Sequence, residues 1–141
     1  MTAEREILCL LARSVLTAHA VARVRALAGR RPDWDALMRA AAAERVLPLV
    51  YRQLKALGLE EVPEPVFAWA REAFLHNAAR NLRFAARLRE LVGLLAKEGI
   101  ETVPFKGPVL AQEVFGDLVL RQFTDLDILV PANAAWRAVE V

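Results

Sequence analysis

The chain has only one cysteine among its 141 residues, so no disulfide can form within it, and it contains no spacing typical of a zinc site. No apolar run approaches the length that spans a bilayer, and Glu4 and Glu6 stand where a secretory signal would be positively charged. The glycine-rich fingerprints of P-loop and dinucleotide-binding proteins are also absent. These absences predict a cytoplasmic protein that does not contact membranes, in which Cys9 is a small buried residue.

The charges of the chain nearly balance, with 19 basic and 17 acidic residues and a net charge of +2. Such a balance implies no overall field that would attract nucleic acid. Five arginines lie between positions 71 and 89 and indicate either a basic helix face for RNA or DNA or an ordinary solvated face. The hydrophobic fraction of 56 % at this length is sufficient for one domain with a substantial core.

Helical patterns fill the chain up to Gly99. The spacing of apolar residues and of helix-ending residues predicts helices over residues 4–28, 33–45, 48–57 and 65–97. Asp33 is the expected cap of the second helix, and Gly58 and Gly99 are expected to end the third and the fourth.

Residues 121–130 read Arg-Gln-Phe-Thr-Asp-Leu-Asp-Ile-Leu-Val and show the alternation that is typical of a strand. On such a strand Asp125 and Asp127 point to the same face, roughly 6–7 Å apart. Two carboxylates held on one face repel each other unless a cation lies between them, and Mg²⁺ prefers one or two carboxylates together with substrate phosphates. The pattern therefore favours a metal-binding pair, and aspartates that simply face water are the alternative.

A short apolar run and a helix start precede this strand. Residues Ile100 to Phe105 are predicted to form a strand, and Gly107-Pro108 is typical of a helix N-terminus, with Gly107 as the cap and Pro108 at the first helical position. The free N–H groups of such a terminus attract anions, and Lys106 adds a full positive charge beside them. A phosphate-binding corner followed by a metal-binding pair suits a nucleoside triphosphate (NTP) with Mg²⁺.

Three parts of the sequence match one family as a set: Phe-Lys-Gly at 105–107, Arg121, and Thr-Asp-Leu-Asp-Ile-Leu-Val at 124–130. They resemble the uncharacterised bacterial nucleotidyltransferase family, which belongs to the DNA polymerase β-like nucleotidyltransferase superfamily. The sequence Arg-Val-Leu-Pro-Leu-Val-Tyr-Arg at 45–52 is similar to a helical segment of that family, and the resemblance covers roughly residues 35–141. The set is fairly specific, whereas Asp-x-Asp alone would be a weak signal.

The resemblance implies an α+β fold. A helical bundle with a long helix would occupy residues 1–98, and a short β-α-β unit over 99–141 would form the N-terminal part of the transferase core, packed with the helices as one unit. The implied activity is transfer of a nucleoside monophosphate from an NTP such as ATP to an acceptor hydroxyl. Asp125 and Asp127 would be catalytic ligands of Mg²⁺ or Mn²⁺, and Lys106, Gly107 and Arg121 would bind phosphates.

The chain departs from the superfamily pattern at two points. Pro108 follows the glycine where the superfamily usually has serine, and no suitable third carboxylate follows Asp127. We therefore expect a truncated core with little or no turnover by the isolated chain. Because a two-stranded sheet is marginal alone, the long helix, a second copy or a partner chain is expected to cover or complete it. The alternative is a degenerate core that acts as a non-catalytic helical interaction module. The acceptor, whether protein, RNA or small molecule, is left open.

Overall fold

A computed structural model describes residues 2–141, which are mostly helical with one small antiparallel sheet. The α-helices in this part of the chain are α1 (Ala3–Leu11), α2 (Ala18–Ala28), α3 (Trp34–Ala43), α4 (Leu47–Leu57), α5 (Glu64–Lys97), α6 (Gly107–Phe115) and α7 (Ala135–Glu140). The strands are β1 (Val103–Phe105) and β2 (Asp127–Leu129), and 3₁₀ turns lie at Leu118–Leu120 and Ala132–Ala134. The predicted α+β class, with a long helix before a β-α-β unit, is confirmed.

The helix ends follow from local chemistry at several positions. The side chain of Asp33 accepts a hydrogen bond from the N–H of Ala36 at 2.9 Å and caps α3, as predicted. Gly58 ends α4 with a φ of 57°, a left-handed conformation that glycine adopts without steric cost. The long helix α5 has 34 residues. Among the helices of residues 2–141, none combines the length and apolarity that crossing a membrane requires.

The single helix predicted over residues 4–28 is wrong, because the structure has two helices there. The hydroxyl of Thr17 accepts a hydrogen bond from the N–H of Ala20 at 3.2 Å and so begins α2 as a new helix. At the break, the carbonyls of Arg13 and Ser14 accept hydrogen bonds from the amide of Gln53 at 2.8 and 3.3 Å. These tertiary contacts satisfy backbone groups that a continuous helix would otherwise have paired.

The chain divides into two compact units. The helical unit comprises the residues up to Asn77 together with Leu120–Gln122, and the strand unit comprises Ala78–Val119 with Phe123–Val141. In the helical unit α1 contacts α2, α3 and α4. Its core contains Leu37 and Val50, and the ring of Tyr51 of α4 packs at a tilt on the ring of Phe74 of α5, with centroids 4.9 Å apart.

Cys9 is exposed, so its predicted burial is wrong. Helix α1 buries Ile7 and Leu11, which lie four residues apart and therefore on one face. Cys9 is two residues from each of them, which places it on the opposite side of the helix. Because the residues around Cys9 are all apolar, the sequence does not show which side of this short helix faces the core.

An ion pair links α1 and α2 within the helical unit. Arg23 donates hydrogen bonds to the carboxylate of Glu6 at 2.6 and 2.9 Å and thereby holds the pKa of Glu6 below its ordinary value of 4.5. A carboxylate whose pKa is lowered by folding stabilises the protein above its unfolded pKa, and the contribution disappears as the pH falls through the folded pKa.

We therefore expect the Glu6→Gln variant to unfold at a lower urea concentration than the wild type at pH 7. The difference should shrink as the pH falls below 4.5 and through the lower pKa of the folded state, because the wild-type carboxylate is then protonated first in the unfolded chain and afterwards in the folded protein. Urea unfolding followed by circular dichroism at several pH values measures this. A deficit that stayed constant with pH would show that the pair does not act through its charge.

The strand unit is organised around the antiparallel pair of β1 and β2. Val103 pairs with Leu129, Pro104 with Ile128 and Phe105 with Asp127. A small core lies beneath the sheet, formed by Leu95, Ile100 and Ala134, with Ile128, Val130 and Ala138 packed against it. Arg137 of α7 donates to the carbonyl of Glu98 at 2.6 Å and so ties the last helix to the turn after α5.

Candidate functional site

The turn between β1 and α6 has an unusual backbone. Lys106 has φ 55° and ψ −148°, and Gly107 follows with a φ of 40°. An L-residue with a side chain rarely adopts positive φ, and holding one there costs on the order of 1–3 kcal/mol. Such strain is retained when the surrounding structure needs that backbone path, and it concentrates at ligand-binding and catalytic sites. The turn at Lys106 and Gly107 is therefore the first feature of the candidate site.

Helix α6 begins at this turn with free backbone donors. Lys106 is its N-cap residue, no side chain caps the helix, and Pro108, which has no N–H, lies in its first turn. The sequence predicted Gly107 at the cap, one residue later than the structure has it. The carbonyl of Lys106 accepts the N–H of Leu110 at 3.0 Å, whereas the N–H groups of Gly107 and Val109 have no acceptor inside the helix. These two donors are suited to an anion.

Sheet register brings Lys106 and Asp127 together. Phe105 pairs with Asp127 across the two strands, so the next residue, Lys106, begins beside that carboxylate. The Lys106 Nζ lies 3.6 Å from the Asp127 Oδ2 and 4.9 Å from the centroid of the Phe105 ring. The Lys106 side chain is 58 % exposed and that of Asp127 is 31 % exposed. Because the pair is solvated, the ammonium can leave the carboxylate at little cost.

Asp125 lies just before β2 and not within it, so the prediction of two aspartates on one regular strand is only half correct. If the register of the sheet continued, Gly107 would lie opposite Asp125. Gly107 already belongs to α6, so β1 offers no partner there and the ladder ends at Asp127. A Cβ atom at Gly107 would lie 3.4 Å from the carbonyl oxygen of Asp125. Both aspartates thus border the turn that carries Lys106.

Arg121 groups with the helical unit, whereas the other predicted site residues group with the strand unit. The segment Leu120–Gln122 groups with the helical unit, and the Arg121 side chain is half-buried. Within that unit, the carbonyl of Arg121 accepts a long hydrogen bond of 3.5 Å from the side-chain amide of Asn77. The assignment of Arg121 to phosphate binding stays a prediction from the family resemblance.

The oxygens of Asp125 and Asp127 are hard ligands, which suit Mg²⁺ or Mn²⁺. Within residues 2–141 no group of three or more His, Cys, Asp or Glu side chains could hold a metal ion. A cation at this turn would thus have at most these two carboxylates as side-chain ligands. Mg²⁺ commonly binds one or two carboxylates and completes its shell with water and substrate phosphates, so the donor set fits a metal that arrives with a nucleotide.

Replacing Gly107 by alanine should damage both the fold and the site. The new Cβ would stand at positive φ and 3.4 Å from the Asp125 carbonyl, so we expect a loss of about 1–3 kcal/mol in the free energy of unfolding. Gly93→Ala is the matched control, because Gly93 lies inside α5 with open space around it and should gain about 0.5–1 kcal/mol. Thermal denaturation of both variants measures this, and equal effects at the two glycines would contradict the described turn.

No role was predicted from the sequence for Asn81, a polar residue of the strand unit. Asn81 lies on α5 and is fully buried, and its amide donates to the carbonyl of Leu118 at 2.7 Å. The sequence does contain a signal for this residue. Position 81 lies seven residues before the buried Leu88 and therefore on the same helix face, yet its side chain is polar. A buried amide on an apolar face needs a partner, so it marks a place where another segment is held.

A family model described as an uncharacterised nucleotidyltransferase matches residues 30–141. The match contains β1, α6 and β2 together with the lysine, glycine and aspartates of the candidate site, and it extends upstream through α3, α4 and α5. Neither the curated proteins nor the solved structures include a significant match to the chain.

Proposed function

The chain belongs to the family of uncharacterised nucleotidyltransferases, and we propose that it transfers a nucleoside monophosphate from an NTP to an acceptor hydroxyl with the help of Mg²⁺ or Mn²⁺. Within that proposal the family is a branch of the DNA polymerase β-like superfamily. The observation that carries the proposal is the shared turn, where Lys106 lies 3.6 Å from Asp127 and Gly107 lies against the backbone of Asp125.

The phosphates of the NTP bind at the start of α6. The N–H groups of Gly107 and Val109 donate to phosphate oxygens, and the positive end of the helix favours their charge. Lys106, which is more than half exposed, moves from Asp127 to the outer phosphates when the nucleotide arrives. Arg121 is assigned to the same phosphates on the family resemblance alone.

Asp125 and Asp127 would hold the divalent ion. A bound ion would polarise the α-phosphate and neutralise charge as pyrophosphate departs. With Lys106 on the phosphates, a bound ion would take its place beside Asp127, so that carboxylate would have a positive charge next to it both with and without nucleotide. A lysine and a metal ligand could share one small turn in this way.

The reaction forms one bond and breaks one. The acceptor oxygen bonds to the α-phosphorus and releases its proton to solvent water, and the bond between the α-phosphorus and the bridging oxygen breaks. Pyrophosphate leaves with that bridging oxygen, and Lys106 with the amides of α6 offsets the negative charge it carries away. The acceptor is a protein, an RNA or a small molecule with a free hydroxyl.

Transfer is tested with NTPs labelled at different phosphates. Any label that the chain transfers in the presence of Mg²⁺, even at the low turnover expected of the isolated chain, should come from the α-phosphate and not from the γ-phosphate, which departs with pyrophosphate. The double variant Asp125→Asn with Asp127→Asn is the matched negative control. Transfer of the γ-label, or α-label transfer that persists in EDTA, would contradict the proposed reaction. Mg²⁺-dependent binding without any transfer would favour the non-catalytic alternative.

A further inference from the structure

Two residues of α5 contact the segment that leads to the aspartates. Asn81 donates to the carbonyl of Leu118 at 2.7 Å, and the ring of Phe84 meets the ring of Phe123 edge-on, with centroids 5.8 Å apart. Positions 81 and 84 are three residues apart and so share one face of the helix. One rigid helix face thus holds the segment at one point before the aspartates and at a second point immediately before them.

Burial makes these contacts firm. Asn81 is fully buried and Phe123 is 3 % exposed. A buried carbonyl or amide that loses its partner is costly, so the segment has little freedom to shift while Asn81 is present. The side chain of Asp117 adds a third restraint by accepting the N–H of Val119 at 3.0 Å, which shapes the turn that Asn81 holds.

The restraint reaches the turn at Lys106 and Gly107. A Cβ at Gly107 would lie 4.0 Å from the Phe123 ring and 3.4 Å from the Asp125 carbonyl, so the segment runs in contact with the glycine. A shift of Phe123 would change how far Asp125 and Asp127 lie from the start of α6. Metal and phosphate binding by one nucleotide depend on that separation, because the ion and the phosphates are parts of the same ligand.

We propose that Asn81 and Phe84 are positioning residues that set the distance between the metal-binding aspartates and the phosphate-binding turn, an inference that rests on the proposed function. They act through Leu118 and Phe123 and do not touch the substrate. Loss of a residue that supports a metal ligand without touching the metal typically weakens metal binding about tenfold to a hundredfold. The effect of losing either residue therefore appears in the metal dependence of nucleotide binding.

The test compares Asn81→Leu and Phe84→Leu with wild type. Each variant is titrated with Mg²⁺ in the presence of an NTP whose α–β bridge cannot be cleaved, and binding is followed by calorimetry. The Mg²⁺ concentration at half-maximal binding should rise about tenfold in both variants. Phe84→Tyr keeps the ring and should restore a midpoint near that of the wild type.

Val24→Ala is the matched control for stability alone. Val24 is fully buried in the core of the helical unit, whereas the contacts of Asn81 with Leu118 and of Phe84 with Phe123 lie in the strand unit, so the truncation destabilises the protein without removing either contact. All variants are compared at a temperature where each is folded. A Mg²⁺ midpoint in Asn81→Leu equal to that of Val24→Ala would overturn the inference, and if Asn81→Leu does not fold, the same comparison with Phe84→Leu decides.

Amide hydrogen exchange separates this inference from the proposed function. Exchange at Phe123 to Asp127 should accelerate in Asn81→Leu and Phe84→Leu but not in Val24→Ala. If wild type binds no Mg²⁺–NTP, the proposed function is wrong, and the exchange pattern alone then decides whether α5 fixes the segment. Unchanged exchange over these five residues would overturn the positioning role whatever the nucleotide result.

Discussion

The double variant Asp125→Asn with Asp127→Asn is expected to weaken Mg²⁺-dependent NTP binding by at least about 100-fold. Losing a residue that only hydrogen-bonds to a metal ligand can already lower metal affinity by up to about 100-fold. Amide oxygens carry no net charge and bind a hard cation far more weakly than carboxylates do. Calorimetric titration of the NTP in Mg²⁺, and again in EDTA, measures the loss. The EDTA affinity should change little, because the phosphate-binding turn is intact.

The fold should survive this double substitution. Asp125 is exposed, and the ion pair of Asp127 with Lys106 is long and solvated, so it stabilises the protein by no more than about 1 kcal/mol. Removing two like charges from one edge of the sheet offsets part of that loss. Glu101→Gln with Glu113→Gln is the matched control, since both glutamates are exposed in the strand unit. An equal loss of binding in the control would show that overall charge, and not the aspartate pair, governs the affinity.

Replacing Lys106 should separate function from stability. Both Lys106→Ala and Lys106→Gly remove the ammonium, and we expect each to weaken NTP binding by about 1.5–3 kcal/mol, which is tenfold or more. The two variants should differ in stability, because only glycine adopts the backbone of this turn without strain. Lys106→Gly should therefore be more stable than Lys106→Ala by about 1 kcal/mol in chemical denaturation.

Arg45 supplies a control for the Lys106 pair within the same chain. It also has a side chain at positive φ, 59°, and it lies after α3 in the helical unit. Arg45→Gly should likewise be more stable than Arg45→Ala, with NTP affinity unchanged in both. Loss of affinity in the Arg45 variants, or equal stability of the two Lys106 variants, would contradict the strained phosphate-binding turn.

Much of the helical architecture could be predicted because local signals decided it. Asp33 caps α3, Gly58 ends α4, and the long apolar pattern before Gly99 forms α5. The pattern of lysine, glycine and paired aspartates also identified the family, and the match over residues 30–141 confirms it. The helix ends rest on residues whose chemistry acts within a few positions of the chain, and the family rests on residue types that occur together as a set.

The rest depended on contacts between distant residues. The break between α1 and α2 has a local signal in the cap residue Thr17, but it is also held by Gln53, about 40 positions away. Strand β2 is short because its partner turns into α6 at Gly107, which only the register of the sheet reveals. The same holds for Asn81, whose partner Leu118 lies 37 residues further along the chain.

The measurement that tests the central claim most directly is a calorimetric titration of the wild-type chain with an NTP whose α–β bridge cannot be cleaved. The proposed site predicts saturable binding of one nucleotide per chain in Mg²⁺, weakened at least about tenfold by EDTA, because the ion links Asp125 and Asp127 to the phosphates. Equal affinity in Mg²⁺ and in EDTA, or no binding in either, would contradict the assignment of this turn as the nucleotide site.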